Sequence, residues 1–190
     1  MIRTAIGFLT IAILLVAFQF PLPSQQRVML NIEESDILFS PYTVWREESL
    51  PFPKERITDP VNIVFVHATV GKIGTRLQEN GWTRTSGTPQ FLYIANERVK
   101  TSAQFAYPDI QNSRFHVRLF PYKHFVFGAV HLEKNKEGGG HALVSWEEAE
   151  QFLADMFADF AQQKSGRVTE INFRNINNDG KITLIDLAPL

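Results

Sequence analysis

The segment from Arg114 to Glu133 constrains the fold more than any other part of the chain, because it predicts two adjacent antiparallel strands. It contains three of the five histidines, and two runs rich in Val, Phe and Leu flank a four-residue connection from Pro121 to His124. We expect Phe120 to pair with Phe125 across this connection. Antiparallel partners keep a constant sum of residue numbers, so this single pairing determines the register of the whole hairpin.

Side chains alternate between the two faces of a strand, so the polar residues of this hairpin share one face. In the expected register three pairs face one another: Arg118 with Phe127, His116 with Ala129, and Arg114 with His131. The opposite face is apolar and is expected to form core: Phe115, Val117, Leu119, Val126, Val130 and Leu132. The polar face brings two imidazoles and two guanidiniums within reach of one another. It is either an ordinary half-solvated sheet face or a functional site, and the sequence leaves both interpretations open.

Composition and charge exclude some functions. The 190 residues allow one domain of ordinary size with an additional tail or anchor. The 19 basic and 20 acidic residues nearly cancel, so the chain lacks the charge pattern of a nucleic-acid-binding protein. Cysteine is absent, which excludes disulfides, a thiolate nucleophile and cysteine-ligated metals.

Residues 1–24 predict a hydrophobic helix directed to the membrane. No charged residue lies between Arg3 and Arg27, and the segment after Arg3 is almost continuously apolar. A cleaved signal peptide needs small residues at its cleavage site, where this chain has Leu15 and Leu22. We therefore favour an uncleaved membrane anchor over a signal segment. The remaining chain is expected outside the cytoplasm, on the periplasmic side of the membrane, or secreted if cleavage occurs.

The rest of the chain divides into three parts. Residues 25–58 have the composition of a linker with a possible short strand at Val28–Ile32, residues 59–166 form the predicted compact domain, and residues 167–190 predict a C-terminal β-hairpin packed on it. We predict an α+β fold, in which a mostly antiparallel sheet of about five to seven strands is covered by two main helices.

Both main helices have recognisable starting residues. Thr69 can cap a helix that begins at Val70 and ends before Gly81. Ser145 and Glu148 have the spacing of a capping box at the start of the second helix, whose apolar stripe would cover one face of the sheet.

The C-terminal segment supports two interpretations. Residues 168–176 and 181–187 predict the two strands of a hairpin around an Asn-Asn-Asp-Gly turn. The same region follows the spacing of a calcium loop, with Asn175, Asn177, Asp179 and Asp186 as its possible ligands. The first ligand is Asn rather than Asp and the motif occurs once, so we favour the hairpin and keep Ca²⁺ as the alternative.

Several short motifs between Asp59 and about Phe160 match those of a known family. They are Asp59-Pro60 and Asn62, Gly81-Trp82, His116-Val117-Arg118-Leu119, Gly128-Ala129, His131 and His141. Together they resemble the C-terminal domain family of LssY, which is found on bacterial membrane proteins with phosphatase-like partners. Phe120 stands where that family usually has Trp, and the segment before the hairpin is shorter here. The resemblance implies a membrane-associated setting in the bacterial envelope but no activity, because the phosphatase chemistry of fused members belongs to a different domain.

Seven residues are candidates for ligand binding: Arg114, His116, Arg118, His131, His141, His67 and Asn62. We favour a non-catalytic envelope module that binds an anionic group of a protein, a lipid or the cell wall, because guanidinium groups suit carboxylates and phosphates. The alternative is a metal-dependent hydrolase, in which histidines with Asp59 or a glutamate bind a transition metal that keeps a position for water. A third interpretation is structural: His116 and Arg118 only attach the hairpin to the loop that carries His141.

Overall fold

The computed structural model describes residues 28–32, 35–47, 54–108, 112–158, 164–166 and 178–188. The predicted N-terminal helix in residues 1–24 lies outside this range. No helix within the described residues is long and apolar enough to cross a membrane.

The described elements follow one another in this order: β1 (Val28–Ile32), β2 (Ser35–Phe39), β3 (Tyr42–Glu47), β4 (Lys54–Pro60), β5 (Ile63–Val66), α1 (Val70–Glu79), β6 (Thr83–Thr85), β7 (Phe91–Ile94), β8 (Glu97–Lys100), β9 (Ala103–Pro108), β10 (Ser113–Tyr122), β11 (Phe125–Asn135), β12 (His141–Ser145), α2 (Glu147–Asp155), β13 (Lys164–Gly166) and β14 (Ile182–Asp186). The strand at Val28–Ile32 and both helices confirm the sequence predictions. The strands β2, β3, β4, β8, β9, β12 and β13 were not predicted, because these short segments lack a regular alternation of apolar and polar residues.

Two sheets contain these strands. Sheet A has the order β1-β2-β7-β3-β4, with β8 paired to β7. Sheet B has the order β13-β14-β5-β11-β10-β9-β6, with β12 paired to β11. Neighbouring described strands are antiparallel except β14 and β5, which are parallel. The architecture is α+β, as predicted, but the described strands outnumber the expected five to seven, because β1 to β4 come from a segment that the composition indicates as linker.

Sheet B is covered on both faces. The helices pack on one face, where the rings of Phe65 and Phe157 lie 5.1 Å apart. Sheet A packs on the other face, where the rings of Phe39 and Phe127 are also 5.1 Å apart. Most side chains in the middle of β10 and β11 are therefore buried whichever face they occupy.

The central hairpin has a register two residues away from the expected one. β10 and β11 continue to Tyr122 and Phe125, which pair directly across a two-residue turn that begins at Lys123. Lys123 adopts a left-handed backbone with φ of 55°, as tight hairpin turns require. The expected pairing of Phe120 with Phe125 is therefore wrong. A shift of two residues leaves every side chain on its predicted face but changes its partner on the next strand.

The predicted caps begin both helices. The hydroxyl of Thr69 accepts a hydrogen bond from the backbone N–H of Lys72, and that of Ser145 accepts one from the N–H of Glu148. Gly81 follows α1 with φ of 87°, in the left-handed region that favours glycine. Local sequence signals therefore mark the start of both helices and the end of α1.

The C-terminal strand β14 lies inside sheet B, between β13 and β5. Its antiparallel partner is β13, whereas the first strand of the predicted hairpin, residues 168–176, lies outside the described residues. The end of the chain is thus an integral part of the larger sheet.

Candidate functional site

The polar face of the central hairpin is buried between the two sheets. His116 and His131 face each other across β10 and β11, with their rings 5.2 Å apart in an edge-to-face arrangement. His116 is 5% exposed, His131 4% and Glu133 9%. This burial excludes the interpretation of an ordinary half-solvated sheet face.

Asp59 brings a carboxylate from sheet A into contact with this face of sheet B. It lies at the end of β4, and its Oδ2 accepts a hydrogen bond of 2.7 Å from Nη1 of Arg118 on β10. Its Oδ1 lies 3.1 Å from Nδ1 of His131 on β11. Two charged contacts therefore join the edge strand of sheet A to the central hairpin of sheet B.

Glu133 occupies the other side of the His131 ring. Its Oε2 lies 3.1 Å from Nε2 of His131, and its Oε1 accepts a hydrogen bond from Nε of Arg114, its partner across the hairpin. Arg114 also donates through Nη2 to Nε2 of His141, at 3.0 Å. His141, the first residue of β12, is therefore contacted by Arg114, not by His116 or Arg118 as the structural interpretation expected.

The two carboxylates make His131 cationic in this arrangement. Both ring nitrogens lie 3.1 Å from a carboxylate oxygen, so a bare nitrogen on either side would face a negative charge. Burial alone would lower the pKa of His131, but the charge of Asp59 and contacts with Asp59 and Glu133 raise it to about 9. Burial would likewise raise the pKa of Glu133, but hydrogen bonds from His131 and Arg114 lower it to about 2.

His116 differs from its neighbour in being neutral. Burial, together with the positive charges of Arg118 and His131, lowers its pKa to about 3. Its Nδ1 is buried and has no hydrogen-bond partner. A neutral imidazole with a free lone pair is the form in which histidine binds a metal ion.

His116, His131 and Glu133 could together hold a metal ion. Each offers one donor atom, and the three atoms lie within 4.8 Å of one another. Two imidazoles and one carboxylate are a donor set of known zinc and iron sites. Asp59 would then accept from the far nitrogen of His131, as the carboxylate partner of a metal-bound histidine commonly does.

His67 belongs to a different part of the molecule. Its Nδ1 lies 2.9 Å from Oδ1 of Asp186, and its ring stacks on that of His124 at 5.8 Å. His124 is in the hairpin turn, whereas His131 lies seven residues along the chain, a span of roughly 20 Å in an extended strand. The four histidines of the hydrolase hypothesis therefore do not converge, because His67 is at the opposite end of the sheet.

Asn62 has a structural partner. It is fully buried, and its side-chain amide donates to the carbonyl of Val130 and accepts from the N–H of the same residue. Backbone pairing between β5 and β11 ends at Gly128. The side-chain amide of Asn62 then makes the two hydrogen bonds to the backbone of β11 that the backbone of β5 no longer makes. This is the role of a residue that completes a sheet.

The four residues of the calcium-loop interpretation are not brought together in the described structure. Asn175 and Asn177 lie outside the described residues. Asp179 precedes β14 and contacts Lys181, whereas Asp186 ends β14 and contacts His67. The extended strand between them alone spans roughly 13 Å, too far for both carboxylates to bind one ion.

Sequence analysis did not single out Glu133, although it lies in the segment that constrains the fold. In the expected register Arg114 faces His131, whereas in the structure it faces Glu133. A two-residue turn at Lys123-His124 was the signal that would have revealed this pair. Asp59 was considered as an acidic ligand, but it contacts the ring of His131 from the opposite sheet.

The chain matches no family model, no curated protein and no solved structure.

Proposed function

We propose that this chain is an extracytoplasmic accessory domain that binds a divalent transition-metal ion through His116, His131 and Glu133. The observation that carries the proposal is the buried group of three donor atoms within 4.8 Å of one another. Buried polar groups cost free energy unless they are paired, and the unpartnered Nδ1 of His116 is such a group. A metal ion bound by a ring nitrogen of His116 would give this buried imidazole a partner.

The metal ion would take the place of the proton between His131 and Glu133, while the other ion pairs hold the ligands in position. Arg114 fixes one oxygen of Glu133, and Asp59, itself fixed by Arg118, orients the ring of His131. Such contacts determine the tautomer and orientation of metal ligands. Each arginine already contacts a carboxylate, which favours a metal site over the anion-binding face considered from the sequence.

Burial favours a stabilising or sensing role over hydrolysis. All three donor residues are less than a tenth exposed. A catalytic metal keeps an open position that substrate can reach, whereas a structural site is closed by protein. The metal-dependent hydrolase therefore remains the second candidate, and it requires a route for small molecules to the ion.

The cellular setting is also a proposal, based on the sequence. The apolar residues 1–24 would anchor the chain in the membrane, with the described domain on the periplasmic side, as the resemblance to the LssY C-terminal domain family implies. Protease treatment of spheroplasts tests this. Digestion of the domain without lysis of the cells is the expected result, and protection until lysis would contradict it.

Metal content of the full-length protein, purified in detergent without an affinity tag, tests the proposed site. We expect about one equivalent of a transition metal by mass spectrometry, lost when His116→Ala and His131→Ala are combined. The matched control combines His67→Ala and His124→Ala, which removes two exposed histidines at the opposite end of the sheet. Loss of metal in both double variants, or none in the original protein after exposure to Zn²⁺, would refute the proposal.

A further inference from the structure

The face of sheet B that carries the proposed metal site contains several unsatisfied polar atoms beyond it. Thr85, Gln104 and Arg118 are successive partners across β6, β9 and β10, and their side chains share one face. His116 lies one row further along β10, on the same face. Each of these residues has a buried polar atom without a hydrogen-bond partner: Thr85 Oγ1, Gln104 Oε1, Arg118 Nε and His116 Nδ1.

A group of neighbouring buried polar atoms without protein partners indicates space that water or a ligand occupies. Buried polar atoms in folded proteins nearly always have a partner, counting ordered water. Three neighbouring exceptions in one row, on Thr85, Gln104 and Arg118, next to the row of the proposed metal donor His116, therefore point to a polar path between the sheets. Small side chains flank this path, since Ala106 lies beside His116 and Ala129 beside Arg118.

A surface cavity begins where this path would meet solvent. It has a volume of about 160 Å³ and is lined by Thr85, Gly87, Ser102 and Gln104, among others. The Cα of Gly87 is so close to the amide of Gln104 that an added Cβ would lie 2.9 Å from Oε1. The cavity is smaller than the roughly 300 Å³ at which drug-sized ligand sites begin, so it suits a ligand of a few heavy atoms.

The charges along this path favour an anion. The lining of the cavity contains no carboxylate, and its one charged residue is Arg84. Deeper in, the guanidiniums of Arg114 and Arg118 are balanced by the carboxylates of Glu133 and Asp59. A divalent ion in the proposed site would therefore leave two buried positive charges without a counter-charge, which is costly in a protein interior.

We infer that a small oxyanion, a carboxylate or phosphate group, reaches the metal through this path and completes its coordination. Thr85 and Gln104 form the entrance of the path. Nε of Arg118 donates a hydrogen bond to the anion inside it, and the metal ion binds the anion at the inner end. The inference rests on the proposed metal site. It makes that site one that exchanges ligands with solvent although its protein donors are buried.

Cobalt-substituted full-length protein in detergent tests the inference, because visible absorption of Co²⁺ reports changes in its coordination. We expect acetate or inorganic phosphate to shift the spectrum, while neutral acetamide at the same concentration does not. A response to acetate alone or to phosphate alone identifies which oxyanion the site accepts. A response to acetamide equal to that of acetate would overturn the anionic character of the ligand.

Two variants test the route. Thr85→Val removes a hydroxyl with little change in volume, and we expect anion association to slow roughly fivefold, the effect of losing one neutral hydrogen bond. Gly87→Ala places its Cβ against Gln104 and is expected to slow association further. The control is Gly71→Ala, whose Cβ would meet only Thr69 Oγ1 at an ordinary 3.8 Å.

The outcomes separate this inference from the metal site itself. Cobalt binding without any anion response, or a response with the same kinetics in Thr85→Val and Gly87→Ala as in the original protein, overturns the route and leaves the metal site in place. Failure of the original protein to bind cobalt overturns both.

Discussion

The Nδ1 atom of His131 lies 3.1 Å from Oδ1 of Asp59, so this contact, together with that between Arg118 and Asp59, joins the central hairpin of sheet B to the edge strand of sheet A. The same ring faces Glu133 on its other side. Metal binding at His131 and packing of the two sheets are therefore expected to depend on each other, because Asp59 takes part in both.

Replacement of Asp59 by Asn should weaken metal binding without removing a metal ligand. Loss of the carboxylate partner of a metal-bound histidine typically costs 10- to 100-fold in affinity, and we expect an effect of about that size. Competition titration with a chromogenic chelator measures it. The control is Asp155→Asn on the exposed face of α2, which should leave affinity unchanged. Equal affinity in both variants would mean that Asp59 does not orient His131.

Glu150 should make stability depend on pH. Burial raises the pKa of its carboxyl to about 8, with the nearby charges of Glu147 and Asp179 adding to the effect against hydrogen bonds from Thr183. The folded state thus retains a proton that the unfolded state releases near pH 4.5. The proton on Glu150 therefore adds to the free energy of unfolding. This stabilisation is complete below pH 4.5 and is lost as the pH rises through 8, on the order of 4 kcal/mol in total.

Glu150→Gln tests this pH dependence, because the amide keeps an acceptor for Thr183 and cannot titrate. The free energy of unfolding in urea should fall less between pH 5 and pH 8 in the variant than in the original protein. Glu148→Gln, at an exposed position of the same helix, should retain the original slope. Identical slopes in all three proteins would show that Glu150 is ionised in the folded state.

Asn62→Leu should destabilise the fold while leaving the metal donors in place. The substitution leaves the N–H and the carbonyl of Val130 buried without their side-chain partner, at a cost of roughly 2–4 kcal/mol. Urea unfolding measures this loss of stability. The control variant is Asn135→Leu, which makes the same substitution at an exposed position. Stability within about 0.5 kcal/mol of the original would contradict the role of Asn62 in completing the sheet.

A fragment that begins at Asp59 should not fold into a packed domain. It lacks β1, β2, β3 and nearly all of β4, so the face of sheet B that carries Phe127 keeps only β7 and β8 of its covering sheet. We expect binding of a hydrophobic dye and no sharp thermal transition, because this apolar face would be exposed to water. A fragment that begins at residue 25 is the control and should unfold cooperatively. A cooperative transition in the shorter fragment would show that sheet A is dispensable.

The local features of this fold follow from short stretches of the amino-acid sequence. Alternation placed His116, Arg118 and His131 on one face of the hairpin, and this survived an error of two residues in the register because an even shift preserves the face. Thr69 and Ser145 marked the helix starts, because capping depends on residues three apart in the chain. These properties depend on near neighbours and can be predicted from short segments.

The contacts between distant polar groups depend instead on how the two sheets pack together. Asp59 and His131 are 72 positions apart in the sequence, and their contact requires two sheets to pack face to face. The same packing buries the cluster, raises the pKa of His131 and lowers that of His116, which no periodicity in the sequence could indicate. The short strands of residues 28–60 form most of the covering sheet although their alternation is weak, since strand pairing depends on distant partners rather than on local pattern.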